Sequence, residues 1–360
     1  MTMEISVEKF LEKQVAVIDE MIERYIPRKF EKDAVVFKLS TPRYAYNLEA
    51  LDKAIAEPIW EFLDRGGKRW RPSLFLLICE ALGKNPKDFL EYAIIPEVIH
   101  NGTLMIDDVE DQSNLRRGRL CTYKLFGLDI AINTGNAMYY LPLLSLAKNR
   151  NKIPTAILNK AYEIYLREMI NLSFGQAMDI AWHRGLADAE KIGEQDYLQM
   201  CAYKTGTLAR IAAKLAAVLS EADDELTEML GRFAEAVGVA FQIQDDVLDL
   251  TGKTFAEKKG ALGMDVSEGK RTLIVIHTLQ KATPEDRERF NEILSMHTDE
   301  QKLRDEAIAI MKKYDAIDYA KDYARKIVRE SWNNVDTLLP ASTAKEKLRA
   351  FADYLIERKI

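Results

Sequence analysis

The sequence predicts an all-α protein, one large helical domain spanning residues 1–360. Three observations predict it. Gly (17) and Pro (10) are sparse in a chain of 360 residues, so turns are few and helices long. Apolar residues fall in blocks of roughly 15–25, separated by short polar breaks. No stretch alternates apolar and polar residues for long enough to demand a strand. With 48% hydrophobic and 30% charged residues, disorder is excluded as the main state. Ten or more helices are expected. A two-domain split is the alternative, because the chain is long for a single core.

The elements follow in order. Residues 5–25 read as an amphipathic helix, with Val7, Phe10, Leu11, Val15, Ile18, Met21 and Ile22 at helical spacing and Pro27 closing it. A Gly-rich segment, GGKRWRP (66–72), leads into the apolar run SLFLLICEAL, with Pro72 suited to a first helical turn. Later helices lie between the breaks at 83–88, 148–154, 183–196, 220–225, 251–263 and 295–300. Neither a fixed-period repeat nor an evident linker is present.

Charge and composition exclude several classes. A net charge of −6 lacks the basic face of a nucleic-acid binder. Cys79, Cys121 and Cys201 are odd in number and far apart, which suits a reducing compartment rather than a disulfide framework. His100, His183, His277 and His297 are too scattered for a local zinc site. The first residues lack a signal-peptide layout, no uncharged apolar run is long enough to span a membrane, and YLIERKI carries no prenylation signal. A cytoplasmic protein is expected.

Two acidic clusters carry chemistry. Asp107-Asp108-Val109-Glu110-Asp111 and Asp245-Asp246-Val247-Leu248-Asp249 are both D-D-x-x-D, and each continues an apolar helical run. With 26 Asp in the chain, chance gives about 0.13 such matches, so two are expected by chance roughly once in a hundred sequences. Positions i and i+4 share a helix face, so each triad points two or three carboxylates one way. Acid clusters are usually solvated surface, and Asp223-Asp224, in a polar break, reads that way. In the triads, like charges one turn apart would destabilise a helix unless cations neutralise them. All-oxygen donor sets suit Mg²⁺ or Mn²⁺ shared with a phosphate ligand.

Basic groups complement them. Lys68 and Arg71 flank the helix start at Pro72, a natural anion site, although a plain basic loop reads equally well. Arg116-Arg117-Gly118 follows the first triad and offers bidentate contacts to phosphate, or a surface network with Glu110 and Asp111. Lys204-Thr205-Gly206 and Lys270-Arg271 add two further basic points. Together the acidic and basic clusters suggest a diphosphate held between metal ions and cations.

The ordered set GGKRWRP, DDVEDQSNLRRG, GQAMD, KTG, FQIQDDVLD and GMDVSEGK spans residues 66–270. It resembles the trans-isoprenyl diphosphate synthases, or polyprenyl synthetases. HNGTLMIDDVED, INTGNAMYY and INLSFGQAMDIAW are similar to the eukaryotic-type geranylgeranyl diphosphate synthases. The resemblance implies the isoprenoid synthase fold, a helical bundle around a central cavity, and a homodimer. It implies head-to-tail condensation of isopentenyl diphosphate with an allylic diphosphate (dimethylallyl, geranyl or farnesyl). The allylic diphosphate loses pyrophosphate, isopentenyl diphosphate attacks the cation, and a proton leaves, with released pyrophosphate as the implied base.

Carried over by residue, Asp107, Asp108, Asp111, Asp245, Asp246 and Asp249 would hold Mg²⁺, three ions per site, on the allylic diphosphate. Arg116, Lys204 and Lys270 would contact the same diphosphate. Lys68, Arg71, His100 and Arg117 would bind isopentenyl diphosphate. Thr205 and Gln242 would line the site near the developing cation, with Gln176 and Asp179 in support. His100, Asp107 and Asp111 are spaced to share one helix face. The family often has a Lys just before the Gly-x-Asp that ends here at Asp265. This chain has Lys258 and Lys259 farther upstream, and neither is assigned.

Product length is implied by Ile99, Gly102 and Thr103, upstream of the first triad. At 1.5 Å per residue, Gly102 lies about 7.5 Å and Ile99 about 12 Å below Asp107. Gly102 and Thr103 are small and leave the tail room. Tyr139 and Tyr140 match positions that close the tunnel, or simply pack in the core, and Ser173 is small where a floor would stand. A twenty-carbon product, geranylgeranyl diphosphate, is expected; farnesyl or longer-chain synthesis is the alternative. A class I terpene cyclase would not need Lys68 and Arg71, and a catalytically silent partner subunit would not keep both triads.

Overall fold

The computed structural model describes residues 7–39, 42–188, 191–252 and 262–357. Its principal helices are α1 (Val7–Tyr25), α2 (Glu57–Leu63), α3 (Trp70–Ala81), α4 (Leu90–Glu110), α5 (Leu128–Tyr140), α6 (Thr155–His183), α7 (Glu194–Cys201) and α8 (Thr207–Leu219). There follow α9 (Asp224–Thr251), α10 (Met264–Ser267), α11 (Leu273–Lys281), α12 (Pro284–Ser295), α13 (Gln301–Lys313), α14 (Ala316–Asp336) and α15 (Thr343–Glu357). The expected polar breaks separate these helices. The break at 251–263 falls largely outside the described residues, and Lys258 and Lys259 with it.

Two compact units are present. The first comprises Met1–Tyr165, Ile211–Leu230 and Leu339–Ala350. The second comprises Leu166–Arg210, Gly231–Leu338 and Phe351–Ile360. The sequence predicts one domain over residues 1–360, with a two-domain split as the alternative.

In the first unit α4 packs against α1, α3 and α5. Ile94, Ile95, Val98 and Ile99 have no exposed surface, so its apolar run serves as core rather than as one stripe. The α4–α5 contact is made backbone to backbone. A Cβ at Gly102 would lie 2.8 Å from the Gly135 carbonyl, and one at Gly135 would lie 2.8 Å from the Ile106 side chain. In the second unit α11 packs on α14, and Phe233 meets Trp332 edge-on at 5.4 Å between ring centroids, a favoured aromatic geometry.

Two features were not foreseen. Residues 115–120 form a hairpin, β1 (Leu115–Arg116) paired antiparallel with β2 (Arg119–Leu120). Its central residues, Arg117 and Gly118, have φ of 53° and 76°. Positive φ at both suits the strand twist, so Arg117-Gly118 is a turn rather than a helix end. The other is a pair of π-helical turns, Asp52–Ala56 and Ala202–Gly206, of a kind frequent at functional sites.

All three cysteines are buried and free. Burial, first among the causes, pushes the Cys79 and Cys121 thiols up to about 12 and Cys201 well above its usual value. Thiolate is the reactive form. At pH 8 the native protein should therefore react negligibly with an aromatic disulfide reagent, and denatured protein should titrate all three. Rapid reaction of a native thiol would contradict this burial.

Candidate active site

In the first unit the basic residues gather around α4. The loop before α3 turns sharply: Gly66, Gly67 and Arg69 have φ of 91°, 144° and 48°, and a Cβ at Gly67 would meet Arg69 Nη1 at 3.0 Å. Glycine suits the first two of these positions, and Arg69 takes the left-handed region at the third. The helix begins at Trp70, so Arg71 lies in its first turn, buried, with its guanidinium 4.3 Å from the Trp70 ring centroid. Lys68 is exposed. Arg65 ties the hairpin to α2, donating to the carbonyls of Arg116 (3.2 Å) and Leu120 (2.8 Å) and pairing with Glu61.

The first triad divides. Asp107 is half-buried, Asp111 exposed and Asp108 buried. Adjacent helical residues point about 100° apart, so Asp108 turns inward. There its Oδ1 accepts from Arg116 Nε at 2.8 Å, while Arg116 Nη2 lies 3.8 Å from Asp107. Asp108 Oδ2 is buried without a hydrogen-bond partner, with the Cys121 thiol beside the carboxylate.

The cluster is electropositive. His100 is held well below the usual histidine range, first by burial and then by Arg71, Arg117, Arg116 and Arg69. Burial, with Arg69, Arg116 and Arg65 adding to it, brings Arg117 down to about 10 even though Glu97 opposes. The guanidinium is destabilised first by burial and then by its arginine neighbours, and a bound anion would offset both.

In the second unit Lys204 and Thr205 lie on the π-helical turn 202–206, which α6 and α9 approach without side chains between. A Cβ at Gly175 would lie 2.3 Å from the Lys204 backbone nitrogen, and one at Gly238 would lie 2.7 Å from Gly206 Cα. Lys204 Nζ pairs with Asp179 on α6. Thr205 Oγ1 donates to Gln242 Oε1 at 2.9 Å, Gln242 Nε2 to Asp246 Oδ1 at 3.0 Å, and Tyr197 Oη to Asp246 Oδ2 at 2.6 Å. The second triad also divides. Asp245 is half-buried; Asp246 and Asp249 are buried. Asp249 Oδ2 accepts the backbone N–H of Asp265 at 3.0 Å. Burial, reinforced by Asp265, raises Asp246 to about 8. Burial disfavours the Lys270 charge, but Asp265 and Glu268 outweigh it and lift its pKa.

Sequence reasoning missed Asp265, Tyr197, Asn101 and Arg69. Asp265 stood within a quoted motif, and its position at a helix start was the available signal. An open cleft of about 570 Å³, lined by His277, Lys281, Lys313 and Tyr319 among others, contains none of the carried-over residues.

The profile of the polyprenyl synthetase family matches residues 52–311. The chain belongs to the polyprenyl synthetase family. It is 34% identical over 301 residues to a geranylgeranyl pyrophosphate synthase of Geoglobus acetivorans, covering 82% of this chain and 88% of that one. It is 32% identical over 294 residues to a short chain isoprenyl diphosphate synthase of Methanothermobacter thermautotrophicus, covering 82% and 87%. The crystal structure of a geranylgeranyl pyrophosphate synthetase from Pyrococcus horikoshii superposes with a TM-score of 0.81 at 29% identity, over 98% of each chain. This polyprenyl synthetase therefore has the all-α isoprenoid synthase fold that its sequence predicts.

Most residues read for product length in this synthetase lie in the first unit. Ile99 is fully buried, and Thr103 Oγ1 donates to the His100 carbonyl at 2.7 Å. Gly102 lacks a side chain where α5 arrives, and Tyr139 Cε1 would stand 3.3 Å from a Cβ there. The Tyr139 hydroxyl is raised by burial first and then by Glu110 and Asp107, which places the ring beside the first triad. Tyr140 is 65% exposed. Ser173 belongs to the second unit, exposed on α6.

A divalent metal is part of this family's chemistry. Among the described residues no three acidic, His or Cys side chains converge as a metal cluster. In the first triad Asp107 and Asp108 both lie near Arg116, while in the second Asp246 accepts from Gln242 and Tyr197 and Asp249 from the Asp265 backbone. Their donor chemistry nevertheless fits a hard cation, and the buried, unpartnered Asp108 Oδ2 is one oxygen that such an ion would satisfy.

Proposed function

We propose that this enzyme condenses isopentenyl diphosphate with an allylic diphosphate to make geranylgeranyl diphosphate. The observation that carries the reading is likeness over more than four-fifths of the chain to archaeal synthases of that name, at 34% and 32% identity. The electropositive cluster around His100 and Arg117 supports it as a seat for a diphosphate.

The residue roles are proposals of the same kind. Asp107, Asp108, Asp111, Asp245, Asp246 and Asp249 would hold Mg²⁺, which supplies positive charge against the departing diphosphate. Arg116, Lys204 and Lys270 stabilise the same leaving group, electrostatics that grow as its C–O bond breaks. Lys68, Arg71, His100 and Arg117 orient isopentenyl diphosphate so that its double bond attacks the allylic carbon. Thr205 and Gln242 line the place where the cation develops, and the released pyrophosphate takes the proton lost as the new double bond forms. A single domain over residues 1–360 is proposed, since the family match over residues 52–311 runs through segments of both units. Ile99, Gly102, Thr103, Tyr139, Tyr140 and Ser173 set the chain length.

A homodimer is proposed as well. Leu166, Ile170 and Phe174 recur one turn apart on α6 and are 46–61% exposed, and Leu125, Leu128 and Ile132 are 39–53% exposed. Apolar rows of this kind mark partner surfaces. Among the described residues no helix is long and apolar enough to cross a membrane. A cytoplasmic location is proposed on the free cysteines.

The test supplies purified enzyme with labelled isopentenyl diphosphate and farnesyl diphosphate, with Mg²⁺ or with chelator, and sizes the dephosphorylated products. A chelator-sensitive twenty-carbon product is expected. A ladder of longer products would overturn the assignment of Tyr139 and Tyr140. No condensation with any allylic starter would leave a cyclase or a silent subunit.

A further inference from the structure

A buried polar chain links the core to the hairpin turn. Arg69, 1% exposed, donates from Nε to Asp19 at 2.8 Å, from Nη2 to the Leu63 carbonyl at 3.0 Å and from Nη1 to Glu97 Oε1 at 3.1 Å. Asn101, with no exposed surface, donates its amide to the Glu97 carbonyl at 2.8 Å and to Glu97 Oε1 at 3.1 Å. Both contacts are on the nitrogen side, so the network assigns the amide orientation. The oxygen is left to accept from Arg117 Nη2 at 3.2 Å. Arg117 Nη1 then donates to the Gly66 carbonyl, and a Cβ at Gly67 would stand 3.5 Å from Arg117 Nη2. The Arg117 guanidinium also lies 5.3 Å from the Phe62 ring centroid.

We infer that Asn101, oriented by Glu97, is a positioning residue for Arg117, and through it for the Gly66–Gly67 loop that presents Lys68. The inference rests on the proposal that Arg117 binds isopentenyl diphosphate. Arg117 sits on a two-residue turn, on a long side chain with much rotamer freedom to lose. It is also destabilised, first by burial and then by neighbouring arginines. Without an acceptor behind it, the guanidinium would swing toward solvent. Asn101 touches neither substrate in this account, and its amide supplies one neutral acceptor in a place where a second carboxylate beside Glu97 would be repelled.

The test is a double-mutant cycle on the full-length enzyme, with KM for each substrate and kcat measured separately. Asn101→Ala should raise KM for isopentenyl diphosphate roughly ten- to hundredfold, the range expected for a lost hydrogen bond to a charged group. KM for farnesyl diphosphate and kcat should change far less. Arg117→Gln should raise the same KM, and adding Asn101→Ala to it should have little further effect, since contacting residues are non-additive. Asn101→Ser, short but still able to accept, should recover part of the loss. A merely structural role would lower the melting temperature and the active fraction, and so the apparent kcat, without moving one KM. If Arg117→Gln raises KM and Asn101→Ala does not, the positioning role is overturned. Full additivity would overturn it as well. If Arg117→Gln leaves KM unchanged, the binding role of Arg117 fails and the inference falls with it. Should Asn101→Ala not fold, Glu97→Gln and Asn101→Ser carry the same comparison.

Discussion

Replacing Asp107 or Asp245 with Ala should lower kcat by at least two orders of magnitude while the protein stays folded. Both carboxylates are half-buried, so neither removal opens a core cavity. Asp107 lies 3.8 Å from Arg116 Nη2, and an ion pair on a partly exposed carboxylate is typically worth about 0–1 kcal/mol. A charge that acts on the departing diphosphate is needed most in the transition state. Removing one such preorganised group typically costs about 10²–10³ in rate. Asp108 would be a poorer choice. It is 1% exposed and pairs with Arg116, so its loss would strand a cation and confuse folding with catalysis. The measurement is single-turnover and steady-state kinetics beside circular dichroism. Near-normal rates from a folded variant would overturn the metal assignment of that triad.

Among the described glycines of the second unit that meet a neighbouring element, Gly175→Ala should be the most damaging. The added carbon would lie 2.3 Å from the Lys204 nitrogen and 2.6 Å from the Tyr203 carbonyl carbon. Those are backbone atoms, which cannot rotate away as a side-chain end would. The π-helical turn and α6 must separate, at about 1–3 kcal/mol for an overpacked contact. That predicts a fall in melting temperature of roughly 2–10 °C. Lys204 rides on the displaced turn and pairs with Asp179 on α6, so turnover should fall too. Gly193→Ala is the control, because its nearest neighbour would be Asp196 Oδ2 at 3.6 Å, ordinary contact. Calorimetry on both variants decides the matter. Equal melting temperatures would mean the helices do not meet as described.

The helices were legible because their apolar period and the polar breaks are local properties. α1 begins among the residues that Val7, Leu11 and Ile18 mark as one face, and α9 ends at the break after Leu250. The triads were legible as residue types at a spacing. What each carboxylate faces was not. Asp108 and Asp107 are neighbours in sequence, yet one is buried against Arg116 and the other is half-exposed, because the choice of partner is tertiary. The turn 115–120 was read as a run of arginines, since two-residue strands give no alternation to detect. Gly175 and Gly238 were likewise unreadable. A glycine inside an apolar helix has no local signature of the helix that crosses it.

The ion pair between Arg69 and Asp19 moves the working edge of the protein upstream of its recognisable edge. The family match starts at residue 52, and a recombinant chain trimmed there would keep all the proposed ligands. It would also lack α1, and with it the carboxylate 2.8 Å from Arg69 Nε. Glu97 would remain 3.1 Å from Arg69 Nη1, so the buried guanidinium would lose one of its two carboxylates and part of its compensation. The N-terminal helix, silent by motif, thus behaves as an internal counter-ion supplied in cis. Any trimmed, tagged or fused version of this enzyme has to carry it intact.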